Sequence, residues 1–448
     1  MHSTTGTADC SAADTTHLAP SLYDVLQRVP DTRHKRGRRY EIGLVLTLLL
    51  LAKLAGEQSM AAVAQWVQER QTQLAQWLPL LRCPCANTYR NICAGVDADT
   101  LLQAVAGVLN TATASRLAAQ AAQAAQAAQA AQAAQAAQAA QAAPASAVDM
   151  SATVPAAATV RHLACDGKAL RGSHRLTAQG VEAAQELFGV YDTQSGCMEA
   201  MLPIEGKGFE ARAFRAWLAQ QAGQRAGQQA GQPAYAGCLL TADALHTQTA
   251  VCRAMRKAGV DYLLVAKRNQ RQLCEDIGYL FSQPPDFWFA ERKARTVTQG
   301  HGRLEVRSLR ASSELNAYLA DRWPGVAQVF QIERTITRRS RQGTRTSVER
   351  VYGLTSLPAE HAAPEQLLAW VRDHWAIENR SHWRRDATLG EDRLQLASKP
   401  AACVMAVLNC LILALFDHIG CRNCRIAMRT FAAHPEQALA LLRSTHDF

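Results

Sequence analysis

Disulfide frameworks, membrane spans and export signals each leave a mark that this sequence lacks. Its 13 cysteines are odd in number and scattered over 448 residues, unlike the dense framework of a small disulfide-stabilised protein. The longest apolar run, Leu44 to Ala52, is about half the length that a membrane span needs. The first twenty residues have neither a basic start nor an apolar centre. We therefore expect a cytoplasmic protein with no membrane partner.

Charged residues are also scarce, at 19% of the chain, but their signs are unbalanced. Lysine and arginine number 48 against 38 aspartates and glutamates, which gives a net charge of +10. The apolar share of 48% is high enough for most of the chain to fold. The basic excess favours polyanionic partners such as nucleic acid and leaves the chemistry open.

Shifts in composition divide the chain into six predicted segments. A Thr- and Ala-rich tail precedes a helical N-terminal region, and eight Ala-Ala-Gln triplets with an Ala/Pro/Ser stretch then form a spacer. A strand-rich region, an antiparallel β region and a last helical region complete the chain. The predicted bounds are 1–20, 21–115, 116–158, 159–290, 291–362 and 363–448.

A basic cluster occupies a predicted loop of the N-terminal region. Its members are candidate phosphate contacts, although a solvated charged loop explains the same pattern. The two helices that follow, separated near Gly56, fit a helix-turn-helix as well as an ordinary bundle, so DNA binding by this region stays open. The candidate residues are Arg33, Lys35, Arg36, Arg38 and Arg39.

Residues 159–267 predict the order β-β-β-α-β-α-β, and aspartates end two of these strands. Asp166 follows the first predicted strand, Asp243 follows the fourth, and Glu378 lies in a predicted helix from Glu365 to about Arg385. Carboxylates in such positions converge into a cage of oxygen ligands that suits Mg²⁺ or Mn²⁺. This element order is that of a ribonuclease-H-like fold with two-metal phosphodiester chemistry. Aspartates at strand ends also cap turns, so the pattern alone leaves both interpretations open.

The predicted late helix carries a polar stripe. His374, Glu378, His382 and Arg385 are spaced i, i+4, i+8 and i+11, which places them along one side of an α-helix. A solvated face with ordinary ion pairs would show the same spacing. A zinc site at Glu378 and His382 is disfavoured because the chain has no HExxH motif and no evident third ligand.

Motifs around the three acids, and two further motifs between the second and third acids, carry a family resemblance. They read Cys165-Asp166-Gly167-Lys168, Thr241-Ala242-Asp243-Ala244-Leu245-His246, Lys267-Arg268-Asn269-Gln270, His301-Gly302-Arg303-Leu304-Glu305 and His374-Trp375-Ala376-Ile377-Glu378-Asn379. In this order and spacing they resemble the insertion-sequence transposases of the ISAs, or H-repeat-associated, group. The resemblance runs from about Tyr23 to about Leu442.

This resemblance implies a DDE transposase. The implied fold is α/β, with a ribonuclease-H-like mixed-sheet catalytic core, a β-strand insertion and a helical N-terminal domain. Asp166, Asp243 and Glu378 would be the catalytic residues and would hold two ions of Mg²⁺ or Mn²⁺. The implied location is the cytoplasm, on the bacterial nucleoid.

The implied activity is metal-dependent cleavage at insertion-sequence ends and strand transfer into target DNA. The partners would be double-stranded DNA, as terminal inverted repeats and as target, and further copies of the chain in a dimer or larger assembly. The residues expected to contact DNA near the acids are Lys168, Arg171, Lys267, Asn269, His374, His382 and Arg385. A degenerate DNA-binding protein without catalysis and a metal-dependent nuclease with a host role are the alternatives.

Overall fold

The computed structural model describes residues 20–34, 38–141, 160–178, 180–223, 235–282, 292–300, 302–340 and 343–444. In these ranges the chain is a mixed α/β protein with a helical N-terminal region and one large mixed sheet.

Six helices precede the first strand. They are α1 (Leu22–Gln27), α2 (Ile42–Leu54), α3 (Met60–Glu69), α4 (Gln71–Leu74), α5 (Ala86–Gly95) and α6 (Ala98–Gln141). A capping box between Ser21 and Asp24 begins α1. Every residue of α2 is buried, as the apolar run within it predicts. Since α2 has no exposed face, it is not placed to read DNA.

Five strands form one side of the large sheet in the order β5-β4-β1-β6-β7, with β5 at the edge. They are β1 (His162–Leu170), β4 (Gln185–Asp192), β5 (Met198–Ile204), β6 (Leu239–Ala242) and β7 (Asp261–Ala266), and β2 (Arg175–Thr177) with β3 (Gly180–Glu182) forms a separate hairpin. Strands β4 and β5 continue β1 as an antiparallel meander, whereas β6 and β7 run parallel to β1. Helices α7 (Glu210–Gly223), α8 (Thr249–Lys257) and α9 (Arg271–Ser282) complete the predicted β-β-β-α-β-α-β order and extend it by one helix.

Four antiparallel strands extend the sheet beyond β7. These are β8 (Arg292–Gly300), β9 (Arg303–Ser312), β10 (Gln328–Ser340) and β11 (Gly343–Thr355), with the short α10 (Asn316–Leu319) after β9. Only residues 352–355 of β11 pair with β7, so the rest of β11 and the strands beside it project past the carboxyl end of β7. We call this projecting part the arm (residues 295–300, 303–308, 333–340 and 343–350).

The late helix differs from its prediction. In place of one helix from Glu365 to about Arg385, the chain forms α11 (Pro364–Asp373), a π-helical turn (Ile377–His382) and α12 (Trp383–Ala387). Apolar spacing does not determine which hydrogen-bond ladder a helix follows, and a π turn rotates the residues after it relative to an α-helix. Such turns are common at functional sites.

The last three helices share a hydrophobic core with the N-terminal helices. They are α13 (Lys399–His418), α14 (Cys424–Ala433) and α15 (Pro435–Arg443). By length and composition α13 passes for a membrane span, but 89% of its most apolar window is buried inside the protein. It is therefore a core helix, and it packs against both the N-terminal helices and the last helices of the chain.

Candidate active site

Asp166 and Asp243 lie side by side on the two central parallel strands. The residues before them, Cys165 and Ala242, are register partners of β1 and β6, so the aspartates occupy the next position on both strands. Strand β1 continues to Leu170, so Asp166 lies within the strand and does not end it as predicted. Asp243 does end β6, and its Oδ1 accepts a hydrogen bond of 2.9 Å from the Leu245 N–H.

Two histidines from the late helical segment cover these aspartates. His382 Nδ1 lies 3.4 Å from Asp166 Oδ2, and His374 Nδ1 lies 3.1 Å from the Thr241 hydroxyl, one residue before Ala242 on β6. The segment between the two histidines is the π turn, which therefore lies over the aspartates. The predicted grouping of His374 and His382 near the acids is present in the fold.

The charge states of this pair follow from burial and contact. Burial opposes ionisation of Asp166, but the contact of its carboxylate with His382 outweighs it and lowers the pKa of Asp166. Burial lowers the pKa of His382 and of His374, which favours neutral imidazoles near pH 7. A neutral His382 that carries its proton on Nδ1 can donate that proton in a hydrogen bond to an ionised Asp166. The ionised carboxylate then has oxygen atoms that can bind a cation.

Glu378 is the acid that the fold leaves apart. It lies in the π turn with an exposed side chain, whereas Ile377, Ser381 and His382 of the same turn are buried. Across the described ranges no group of three or more His, Cys, Asp and Glu is arranged to hold a metal ion. Asp166 and Asp243 fit a hard divalent cation by donor type and by their adjacent places in the sheet. The third carboxylate is supported by the family pattern alone.

A buried pair lies next to Asp243. His246 is 1% exposed, with Nε2 3.5 Å from Glu210 Oε2 and 3.8 Å from Asp243 Oδ1. Glu210, at the start of α7, is also buried and lies against Gly167. A Cβ added at Gly167 would approach Glu210 Oε1 more closely than Cβ atoms approach their neighbours in real proteins. A side chain at position 167 would therefore have to displace the Glu210 carboxylate.

A network of buried charges lies behind the site. Lys168 Nζ is 2.6 Å from Asp386 Oδ2, and Arg385, which is 1% exposed, pairs with Glu391. Glu391 Oε2 also accepts hydrogen bonds of 2.9 Å from Arg385 and Asn409. Burial alone would raise the pKa of Glu391. Its pairing with Arg385 outweighs burial and lowers the pKa, so Glu391 remains a carboxylate.

The network reaches the N-terminal helices through Lys53. This buried lysine of α2 donates a 3.3 Å hydrogen bond to the Leu389 carbonyl, two residues before Glu391. Burial lowers the pKa of Lys53 to about 8. The N-terminal helices and the late helical segment are thus joined by a polar contact as well as by the shared core.

Two of the predicted DNA contacts near the acids belong to this network. Lys168 and Arg385 are buried and ion-paired, so neither is accessible to a phosphate, and the prediction that they contact DNA is not supported. Asn269 donates to the Ala244 carbonyl and thereby fixes the loop after Asp243. Arg171 and Lys267 are exposed, as a DNA contact requires.

The basic cluster of the N-terminal region is partly tied to its own loop. Arg33 pairs with Asp31 at 2.8 Å, and Arg38 donates to the carbonyls of Asp31 and Arg33. Arg39 is exposed. Lys35 and Arg36 lie outside the described residues. The DNA-binding role of this cluster remains a prediction.

Aromatic side chains are exposed beside the site. Trp375 and Trp383, which flank the π turn, are 57% and 62% exposed. Nucleobases stack on exposed aromatic rings of this kind.

Sequence reasoning missed Glu210, His246, Asp386 and Glu391 as parts of the site region. His246 stands inside a quoted motif, and Glu210, Asp386 and Glu391 stand at positions that fall within the family resemblance, so each residue had a usable signal. The pairing of Lys168 with Asp386 had none, because the two residues are 218 residues apart in the chain.

Comparison with known families matches two parts of the chain. The family described as a transposase DDE domain matches residues 161–415, which is more than half of the chain. The family described as DDE_Tnp_1-associated matches residues 23–107, the helical N-terminal region.

Individual proteins give weaker similarity. An "Uncharacterized protein in dhlA 3'region" of Xanthobacter autotrophicus is 24% identical over 347 residues, or 77% of this chain and 97% of that protein. The "H repeat-associated putative transposase YhhI" of Escherichia coli (strain K12) is 24% identical over 246 residues, or 54% of this chain and 60% of that protein. A solved structure of the piggyBac transposase synaptic complex with hairpin DNA has a TM-score of 0.33 and 9% identity, covering 64% and 53% of the two chains. A score this low does not establish a shared fold.

Proposed function

The chain belongs to the transposase DDE-domain family, and from this premise we propose that it cleaves DNA at the ends of an insertion sequence and joins them to target DNA. The observation that supports this most directly is the pair Asp166 and Asp243, adjacent in register on the parallel strands β1 and β6. The order and directions of the strands β5-β4-β1-β6-β7 support a ribonuclease-H-like core. We propose that β8 to β11, which lie between Asp243 and Glu378 in the chain, are the β insertion.

We assign the catalytic carboxylates to Asp166, Asp243 and Glu378. They would hold Mg²⁺ or Mn²⁺, two ions by the family pattern, which when bound supply charge stabilisation to the attacking and leaving oxygens of the phosphodiester. Glu378 sits in the π turn over β1, and its exposure leaves it open to bound DNA.

The surrounding residues have positioning roles. His382 holds Asp166 in its ionised form and fixes the side chain over β1. His374 bonds to Thr241 and so anchors the segment that carries Glu378 to the strand that carries Asp243. Among residues open to solvent, Arg171 and Lys267 would contact phosphates, and Trp375 and Trp383 would stack on bases.

The partner we propose is double-stranded DNA, both as terminal inverted repeats and as target. Two ends have to meet for transposition, so a dimer or larger assembly of this chain follows from the proposed reaction. The proposed location is the cytoplasm, on the nucleoid.

The test is cleavage of a duplex that carries the inverted repeats flanking the gene, with Mg²⁺ or Mn²⁺ added. Asp166→Asn, Asp243→Asn and Glu378→Gln should each abolish cleavage while DNA binding is retained. Glu365→Gln, an exposed carboxylate of α11, is the matched control and should cleave normally.

Cleavage that persists in the three acid variants would overturn the assignment of the site. An unmodified protein that binds the repeats without cutting them would instead be the degenerate DNA-binding alternative. Cutting of DNA without regard to the repeats would favour the host nuclease.

A further inference from the structure

Strand register fixes which side chains of the arm face the same way as the catalytic aspartates. Asp243 stands one position after Ala242, which pairs with Leu264, so it is level with Val265. Val265 pairs with Gly353 of β11, and paired residues of neighbouring strands share a face. Counting back from Gly353 in steps of two reaches Arg345 on that same face. We call the sheet face that carries Asp166, Asp243 and Arg345 the carboxylate face.

The arm presents a row of three arginines on the carboxylate face. Arg345 pairs with Arg338 across β11 and β10, and Arg338 pairs with Arg303 across β10 and β9. The three side chains therefore stand next to one another on three successive strands, with Gly300 completing the row on β8. Arg338 and Arg345 are exposed.

Nothing in the arm neutralises this row fully. Arg303 pairs with Glu305 at 3.0 Å, but Glu305 is buried and shared with Arg307 and Arg334. Within the described part of the chain, no ion pair is formed by Arg338 or Arg345. Like charges directly opposite each other on a sheet are destabilising, so the row costs stability until an anion lies across it.

The opposite face of the arm has a different character. Its two rows nearest the arginine row are Gln299, Leu304, Thr337 and Thr346, followed by Val297, Val306, Thr335 and Val348. Neither row contains a charged side chain. Arg295, Arg339 and Arg350 lie on the opposite face, but Arg350 pairs with Glu333 at 2.9 Å and no two of these arginines are register partners. Only the carboxylate face therefore has arginines side by side on successive strands.

The arm extends outward from the edge of the sheet at which Asp243 lies, past the carboxyl end of β7. From the level of Gly353 to Arg345 is eight residues, or roughly 27 Å at about 3.4 Å per residue. At about 3.4 Å per base pair this distance spans roughly eight base pairs.

We propose that the arginine row of the arm binds the phosphate backbone of duplex DNA, roughly eight base pairs from the reacting phosphate. The proposal rests on the proposed function for the position of the reacting phosphate. The contact itself is sequence-independent, since guanidinium groups meet phosphates and carry no base readout. The row thus holds the duplex along the carboxylate face.

The test compares two double variants that remove equal charge from opposite faces. Arg338→Ser with Arg345→Ser alters the carboxylate face, and Arg295→Ser with Arg339→Ser is the matched control on the other face. The probe is a duplex of about 40 base pairs of random sequence, titrated by fluorescence anisotropy at several salt concentrations. Thermal unfolding of each variant confirms that it is folded.

The carboxylate-face variant should bind DNA more weakly. The slope of log Kd against log salt concentration should fall by about 0.9 for each phosphate contact removed, or by roughly 2 for the two arginines together. The control should keep the slope of the unmodified protein. Equal losses in both variants, no loss in either, or no DNA binding by the unmodified protein would each overturn the proposal. Cleavage of the inverted repeats is measured on the same preparations, and its absence beside the expected slopes would contradict the proposed function alone.

Discussion

Basic residues differ in burial and in pairing between two regions of the molecule, the surroundings of Asp166 and the arm. Near Asp166 and Asp243, Lys168 and Arg385 are buried and paired with Asp386 and Glu391. In the arm, arginines of the same formal charge stand exposed in a row with one shared carboxylate nearby. The same residue types thus stabilise the fold in one region and remain available to a ligand in the other.

The difference shows why a net charge is a poor guide to a DNA-binding surface. A basic residue beside a catalytic acid in the sequence is a natural candidate for phosphate contact, and Lys168, two residues after Asp166, looked like one. Its position in the network means that its charge is already neutralised inside the protein. The DNA-facing charge is better located by exposure and missing partners than by proximity to the motif.

The sharpest way to break this comparison is to separate chemistry from DNA binding. Asp243→Asn should reduce cleavage by at least about a thousandfold and leave the salt slope of DNA binding unchanged, since a catalytic group acts mainly in the transition state. The Arg338→Ser and Arg345→Ser double variant should cleave at nearly the normal rate when DNA is saturating. Cleavage rates and anisotropy titrations on both proteins check this, and a common loss in both would mean that the two regions do not act separately.

Removal of the Glu391 carboxylate should lower the free energy of unfolding far more than removal of a carboxylate of the arm. Glu391→Ala leaves Arg385 buried without its partner, at a cost of about 3–5 kcal/mol in the free energy of unfolding. Glu349→Ala removes a 60% exposed side chain paired with Arg334 at the surface and should cost less than about 1 kcal/mol. Denaturant unfolding measures both, and similar costs would refute the distinction between the two charge sets.

A methyl group tests the close packing beside Asp166. Gly167→Ala forces a Cβ against the Glu210 carboxylate, and such overpacking should cost about 1–3 kcal/mol in the free energy of unfolding. Gly300→Ala in the arm is the control, since a Cβ there meets nothing within 4 Å. If Gly167→Ala is as stable as this control, Glu210 does not lie where the structure places it.

The smallest effect is expected from the pH dependence of Lys53. Burial lowers the pKa of Lys53 to about 8 from 10.5, so the unfolded chain binds more protons than the folded protein between those values. Stability conferred through this group therefore rises with pH in that window, by roughly 1.5 kcal/mol between about pH 8 and pH 9.5. The difference in the free energy of unfolding between the unmodified protein and Lys53→Met should show this rise with pH. A difference that does not change with pH would mean that burial does not lower the pKa of Lys53.

The order of elements around Asp166 and Asp243 could be predicted because its signals are local. Short apolar strands, turn residues and helical spacing each occupy a few neighbouring positions, and the aspartates come close because β1 and β6 are adjacent parallel strands in matching register. The break in the late helix was not predictable in the same way. His374, Glu378 and His382 keep their i, i+4, i+8 spacing in the sequence, but the π turn changes where these side chains lie, and Glu378 is exposed whereas His382 is buried.

The parts of the site that depend on distant partners were out of reach. The charge pair between Lys168 and Asp386 spans 218 residues, and no local pattern marks either residue as a partner of the other. The arginine row has a related origin. Arg303, Arg338 and Arg345 look like scattered charges in the sequence, and only the register of three strands brings them side by side.

One cross-linking measurement tests the central claim, that the carboxylate face of the arm leads DNA to the catalytic aspartates. A photoreactive amino acid in place of Arg345, or of Arg339 on the opposite face as a control, is irradiated with an end substrate whose cleaved phosphate has been mapped. The account predicts cross-links from position 345 to DNA roughly eight base pairs from that phosphate and few from position 339. Cross-links of equal yield from both positions, or none from position 345 in a protein that cleaves the substrate, would contradict it.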